Sequence, residues 1–336
     1  MLDYKIIATL GPSSATIHAW ESMSSAGVTG FRLNTSHLTL PQLYSWLEKL
    51  HPFLASSGLK LVLDLQGSKW RLGFLPPYEL VKGQSVTLVL EEITDQSNIL
   101  PVPHPDFFQS AILLASNPSS TGYRSADILI NDAKITLLME SASCDRVTAR
   151  VNQGGLIMSN KGITFTASEY RQEILSNMDK SIIMATRNLQ FIRYAISYVK
   201  DAVAMEKFRS LLSQPAVLIA KLERRSAIED VAKIADLADE LWLCRGDLGA
   251  ELGLKNLAEQ VYCFSKNVRN ISKPVLMAGQ VLEHMNEHPI PTRSEICFLY
   301  ETLMHGYHGF VLSDETAIGK NPIASCQMAA VFKGSR

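Results

Sequence analysis

A chain of 336 residues with 46% hydrophobic content can bury a full core, and it exceeds one ordinary domain without requiring two independent ones. Its formal net charge of −1 supplies no global field for gripping nucleic acid or an anionic membrane, so an anionic ligand must be met by local cationic groups. The five cysteines (Cys144, Cys244, Cys263, Cys297 and Cys326) form no CxxC pair, no signal-peptide pattern opens the chain, and no apolar run approaches roughly 18 residues. These features fit a soluble cytoplasmic protein with reduced thiols and neither a nucleic-acid nor a membrane partner.

In chain order, Lys5 to Leu10 is a short apolar run, and Ser14 to Ala26 follows with helical spacing and ends at Gly27. Val28 to Leu33 is a second candidate strand, after which Thr39-Leu-Pro-Gln opens a helix with a cap residue and a proline in its first turn. Lys60 to Leu65 is the third. The pattern then changes. Val81 to Leu90, Asp127 to Leu138 and Arg146 to Val151 alternate or run apolar in short pieces, which predicts a β-rich insertion over residues 70–159. Its middle, Glu91 to Thr121, holds most of the local Pro, Asn and Ser and is expected to be loop-rich.

The apolar runs resume at Tyr194 to Val199, although Phe191 to Val203 reads equally as a helix. They continue at Ala216 to Leu222, Glu240 to Cys244, Pro274 to Ala278 and Gly309 to Ser313. Eight strands alternating with helices are what a closed barrel needs. The expected fold is therefore α/β: a TIM (β/α)8 barrel over residues 1–69 and 160–336, with the β-rich domain of residues 70–159 inserted between strand 3 and helix 3.

The chemistry gathers at strand ends. Ala220-Lys-Leu-Glu223 and Leu243-Cys-Arg-Gly-Asp-Leu-Gly249 each end an apolar run in charge, as the C-terminal mouth of a barrel does. Alternation along a strand puts Lys221 and Glu223 on one side, and Arg32 and Asn34 likewise. Asp64, Asp247 and Glu315 also fall at or just past strand ends. One such residue is usually a solvated loop residue or half of an ion pair; recurrence around one rim is what points to a site. Glu223 and Asp247 offer hard oxygens suited to Mg2+ or Mn2+, and Arg32, Lys221 and Arg71 would neutralise a phosphoryl group in transfer.

These motifs resemble the pyruvate kinase family. The resemblance runs from Lys5 nearly to the C-terminus. It is carried, in order, by Lys5-Ile-Ile-Ala-Thr-Leu-Gly-Pro-Ser-Ser14, Phe31-Arg-Leu-Asn-Thr-Ser-His37, Leu63-Asp-Leu-Gln-Gly-Ser-Lys-Trp-Arg71 and Ser159-Asn-Lys-Gly-Ile163. Ala220-Lys-Leu-Glu223, Arg245-Gly-Asp-Leu-Gly249, Pro291-Thr-Arg-Ser-Glu295 and Leu312-Ser-Asp-Glu-Thr-Ala-Ile-Gly319 complete it.

The resemblance implies a barrel with a β-rich lid, phosphoenolpyruvate and Mg2+ bound between them, and ADP entering under the lid. Matched position by position, Glu223 and Asp247 look like the divalent-metal ligands, Lys221 like the lysine that stabilises the transferring phosphoryl group, and Arg32 like the arginine that bridges it to the site. Asn34, Ser36, Asp64 and Leu65 fall on the monovalent-cation ligands. Thr9, Pro12, His37, Arg71 and Lys161 match positions near the nucleotide and its phosphates. Gly246 and Asp247 would offer backbone amides to the substrate carboxylate, as the first turn of a helix does for an anion.

The chain also departs from the family pattern. Leu65 and Lys69 stand where potassium-dependent members carry Thr and Glu, and the Lys69 ammonium can supply the charge that K+ otherwise supplies, so no K+ requirement is expected. Gly279 replaces a threonine whose hydroxyl would lie near the enolate carbon. Cys244 replaces an alanine, and Asp314 replaces the glycine before the Glu-Thr pair. The chain stops about twenty residues after Glu315, where family members continue into an α/β domain that binds effectors and builds part of the oligomer interface, so sugar-phosphate activation is not expected and a homodimer is the expected assembly. The leading reading is a K+-independent transfer of phosphoryl from phosphoenolpyruvate to ADP. A metal-dependent aldolase or lyase acting through a pyruvate enolate, and a catalytically impaired metabolite-binding homologue, are the alternatives that Gly279 and Asp314 leave open.

Overall fold

The computed structural model describes residues 2–67, 69–116, 127–131, 133–165, 175–212 and 216–334, without the side chain of His37. Two compact units account for the chain, one of Met1–Gly67, Leu175–Leu248 and Leu257–Arg336, the other of Ser68–Ile174 with Gly249–Asn256.

The first unit is a closed barrel of eight parallel strands: β1 (Lys5–Thr9), β2 (Gly30–Asn34), β3 (Lys60–Leu65), β4 (Ile192–Ile196), β5 (Val217–Leu222), β6 (Glu240–Cys244), β7 (Val275–Ala278) and β8 (Gly309–Leu312). Each strand pairs with its sequence neighbours, and β8 closes on β1 with Lys5 opposite Gly309. Closure leaves no free edge, and the strands read as continuous apolar runs because helices cover the outside while side chains fill the inside. At Gly309, with φ of +145°, a Cβ would sit 1.9 Å from the Lys5 carbonyl oxygen, so only glycine permits that closing contact.

The helices start where the sequence signals them. Thr39 and Gln42 form a reciprocal capping box at the head of Leu40–Ser57, with proline in the first turn, and Thr292 with Glu295 does the same for Arg293–His305. No helix of the described residues is long and apolar enough to cross a membrane. All five cysteines are free thiols.

The fourth strand ends earlier than the apolar run suggests: it is Ile192–Ile196 rather than Tyr194 to Val199, because Tyr198 takes φ of +60° and cannot continue a strand. Ser197 and Tyr198 therefore lie in the loop at the barrel mouth.

In the second unit a seven-stranded sheet runs in the order Trp70–Arg71, Gly162–Phe165, Asp127–Ile130, Ile135–Ala142, Arg146–Gln153, Ser85–Val89 and Ile99–Pro101. Tyr78–Leu80 and Gly155–Ile157 form a separate two-stranded ladder. Gly162–Phe165 pairs antiparallel with both Trp70–Arg71 and Asp127–Ile130, so this sheet extends past residue 159, where composition alone ends the insertion.

The stretch Glu91 to Thr121 is not simply loop. Pro105–Ser116 is a 12-residue helix that buries Phe107, Phe108 and Ala111, apolar residues at helical spacing, behind a proline tolerated at its first position. The rest of that stretch from residue 117 lies outside the described residues. Phe107 stacks on Phe165 at 4.7 Å between centroids and meets Trp70 edge-on at 5.4 Å. Each such pair contributes about 0.5–1.5 kcal/mol beyond its buried area.

Candidate active site

The barrel lumen is built in layers, and its chemistry changes over two residues. Ile7, Val62, Ala195, Ile219, Trp242, Leu276 and Val311 form an apolar plug of fully buried side chains. Because side chains alternate, the next inward position on each strand lies one layer towards the C-terminal mouth. On β1, β3 and β5 those positions are Thr9, Asp64 and Lys221, and Ser197 follows β4 in the same phase. Charge is thus set on a rigid floor.

Asp64 is the hub of that layer. Its Oδ2 accepts from Arg32 Nε at 2.7 Å and Nη2 at 2.6 Å, and its Oδ1 lies 3.1 Å from Lys221 Nζ and accepts the Ser197 hydroxyl at 3.1 Å. Arg32 Nη1 donates to Thr9 Oγ1 at 2.8 Å, and Thr9 in turn donates to the Leu312 carbonyl at 2.6 Å. The Thr35 hydroxyl donates to the Asp64 carbonyl at 2.7 Å, and Asn34 Oδ1 accepts from the Ser36 amide at 3.2 Å, so the turn that carries Asn34 and Ser36 is held against the end of β3 at Asp64. Leu65 is fully buried beside them.

Lys221 Nζ also lies 2.9 Å from Glu223 Oε1 and donates to Ser197 Oγ at 2.8 Å. Burial opposes its charge, but Asp64 and Glu223 outweigh burial and raise its pKa above the ordinary lysine value. For Arg32 burial is again the largest influence, and Asp64 again reverses it. Burial would raise the Asp64 carboxyl, yet Lys221 and Arg32 pull it below the usual range. Glu223 goes the other way: burial lifts it, Lys221 only partly compensates, and Asp247 and Asp64 lift it further. Glu223 thus feels two further carboxylates, Asp247 and Asp64, beside the one ammonium of Lys221.

Tyr198 ties these two carboxylates together. Its backbone N–H donates to Glu223 Oε2 at 2.8 Å and its hydroxyl donates to Asp247 Oδ1 at 2.8 Å. Among the described residues no group of three or more His, Cys, Asp and Glu stands in metal-holding geometry. A pair fits Mg2+ or Mn2+, which take one or two protein carboxylates and complete their shell with water and phosphate oxygens. Burial and the neighbouring Asp247 and Asp64 all oppose the negative charge of Glu223, a cost that a bound cation would relieve.

Gly246 and Asp247 occupy the first turn of the helix Arg245–Leu252. Gly279 faces that turn with φ of +85°, and a Cβ on it would lie 3.1 Å from the Gly246 nitrogen and 3.3 Å from the Arg245 nitrogen. Arg245 donates twice to the Gly279 carbonyl, from Nε at 3.0 Å and Nη2 at 2.5 Å, and once to that of Gln280 at 2.8 Å, over the Phe298 ring. Burial brings Arg245 down to about 10, so it stays cationic at neutral pH. The glycine is therefore a conformational requirement of this loop and not only a lost hydroxyl.

Other expected rim residues do other things. Glu315 is buried and accepts the amides of Leu282 at 3.2 Å and Ser313 at 2.9 Å, so it ties two loops and stands outside the charged cluster. Asp314 is exposed at the start of its short helix, Pro12 is exposed, and the His37 side chain lies outside the described residues. Cys244 is buried near the cluster, with its thiol pushed up by burial and then by Glu223.

In the second unit, Arg71 lies on one strand and Lys161 immediately precedes its neighbour: Arg71 pairs with Gly162, and its Nη1 donates to the Asn160 carbonyl at 2.9 Å. The Leu72 amide donates to the Lys161 carbonyl at 2.9 Å. Lys69 lays the end of its side chain over Gly162. Thr35, Ser197, Tyr198 and Arg245 escape the sequence reading. Ser197 and Tyr198 had a signal, a polar pair closing an apolar run, but extending the strand to Val199 hides it.

The family model for the pyruvate kinase barrel domain matches residues 1–326. A pyruvate kinase of Aeropyrum pernix is 32% identical over 332 residues, covering 97% of this chain and 69% of its own. One of Methylorubrum extorquens is 30% identical over 323 residues, covering 95% of this chain and 65% of its own. The crystal structure of a pyruvate kinase from Cryptosporidium parvum superposes with a TM-score of 0.82 at 22% identity, over 98% of this chain and 68% of that one, which supports the fold. The chain spans about two thirds of the length of these curated relatives.

Proposed function

Because this chain belongs to the pyruvate kinase family, we propose that it transfers the phosphoryl group of phosphoenolpyruvate to ADP in the cytoplasm, giving pyruvate and ATP, with Mg2+ or Mn2+ required and K+ dispensable. The observation that carries this reading is Lys221, whose ammonium is held between Asp64 and Glu223 at the top of the apolar plug. A lysine so fixed is a preorganised positive charge, which phosphoryl transfer needs more than it needs covalent chemistry.

Glu223 and Asp247 would hold the divalent ion, which when bound would neutralise phosphate and enolate oxygens. Lys221 and Arg32 would face the phosphoryl oxygens as its bond to the enol oxygen breaks and a bond to a terminal ADP oxygen forms. The amides at Gly246 and Asp247 would receive the substrate carboxylate, with Gly279 leaving them open. Lys221 would stabilise the enolate until it takes a proton at carbon. By the resemblance, Thr9, Pro12 and His37 of the first unit would serve the nucleotide, as would Arg71 and Lys161 of the second, and Lys69 would supply the positive charge that stands in for K+.

Pyruvate and ATP formation from phosphoenolpyruvate and ADP with Mg2+ tests the reading, beside Lys221→Met. Turnover that drops by about 10^2–10^3 in the variant supports it, on the scale of removing one preorganised electrostatic stabiliser. Failure of the wild-type protein to form either product overturns it.

A further inference from the structure

We propose that Tyr198 is a positioning residue for the divalent-metal site, a role that rests on the functional reading above and assigns a new part within it. Three consecutive strand ends are involved: Tyr198 follows β4, Glu223 follows β5, and Asp247 lies in the first turn after β6. The strands flanking β5 are separated by two inter-strand spacings, roughly 10 Å, so a link from the β4 loop to Asp247 needs a long side chain with a donor at its tip. Tyrosine meets that need.

The geometry uses both donors of this one residue. The backbone N–H reaches Glu223 Oε2 and the phenol reaches Asp247 Oδ1, each at 2.8 Å. With Lys221 on Glu223 Oε1, both Glu223 oxygens are oriented. Tyr198 itself is 4% exposed and holds φ of +60°, a conformation that a bulky residue adopts only when its surroundings impose it. That backbone twist is what lets the amide turn to Glu223 while the ring crosses to Asp247. A hydrogen bond to a metal-binding carboxylate fixes its direction, and loss of such a partner commonly weakens metal affinity about 10–100-fold.

The test is direct Mn2+ binding, followed by the electron paramagnetic resonance signal of the free ion, for wild type, Tyr198→Phe and Glu223→Gln. Phenylalanine keeps the backbone donor and the ring and removes only the hydroxyl. The expected result is a Mn2+ dissociation constant about 10-fold or more higher in Tyr198→Phe, with an unchanged melting temperature of the metal-free protein and an unchanged KM for ADP. Equal Mn2+ affinity in wild type and Tyr198→Phe, with binding lost in Glu223→Gln, overturns the role of Tyr198 and leaves the metal site standing. Undiminished binding in Glu223→Gln, or none in wild type, overturns the metal-site assignment and the positioning role with it. A lowered melting temperature with unchanged Mn2+ affinity would make the hydroxyl merely structural and overturns the proposal as well.

Discussion

The Arg32 guanidinium meets a single oxygen of Asp64 twice, through Nε at 2.7 Å and Nη2 at 2.6 Å. The other Asp64 oxygen is left for Lys221 and Ser197, so one buried carboxylate holds a buried and a largely buried cation in a layer only one step above an apolar plug.

Asp64→Asn removes the anion both cations rely on. Losing one partner of a buried ion pair costs about 3–5 kcal/mol, since the remaining charge stays out of water. Urea denaturation should show a lower midpoint with an unchanged slope. A midpoint equal to that of wild type would mean that Arg32 and Lys221 find other anions.

The same pair has a pH signature. Lys221 and Arg32 pull Asp64 below its ordinary value against burial, so the folded state binds this proton less readily than the unfolded chain. Its stabilisation is complete above the unfolded carboxylate pKa of about 4 and fades as pH falls through the lower folded value. The stability gap between wild type and Asp64→Asn should stay level over roughly pH 5–8 and narrow below about pH 4. A gap that closes as pH rises would contradict the pairing.

Gly279→Thr restores the threonine of the family pattern, yet it should lower both stability and turnover. At φ of +85° any side chain is strained, by about 1–3 kcal/mol, and its Cβ would press on the Arg245 and Gly246 nitrogens. Thermal unfolding and kcat/KM for phosphoenolpyruvate would report the two effects, and Gly279→Ala should share them. Faster turnover in Gly279→Thr would show that the loop readily takes another backbone path and that the hydroxyl was the missing part.

Turnover should be equal in K+ and in tetramethylammonium salts. The double change Leu65→Thr with Lys69→Glu removes the lysine charge and adds oxygen ligands, so it should create activation by K+. Activation of the wild-type protein by K+ would sink the substitution argument.

Much of this was readable from residue order. Strands β3 and β6 begin and end where their apolar runs do, and the capping boxes at Thr39 and Thr292 mark their helices. Strand alternation brings Asp64 and Lys221 into one layer, and tertiary packing then sets them 3.1 Å apart. Tyr198 was hidden because an aromatic residue after Ile196 and before Val199 scores as strand, while its left-handed backbone depends on contacts with residues 25 and 49 positions away. The helix at Pro105–Ser116 was masked by polar composition around it, although Phe107, Phe108 and Ala111 carry the helical period.

The sequence by itself determined the class of fold, all of the strands but the fourth and which residue types crown them, because periodicity and strand-end charge are local properties that each segment carries alone. The tertiary structure decided the rest: that Glu315 ties loops and stands apart from the cluster, that Gly279 is required by its backbone angle, and that Tyr198 links Glu223 to Asp247. Those outcomes depend on distances between segments far apart in the chain, and these are set only when barrel closure fixes every strand end against its neighbours.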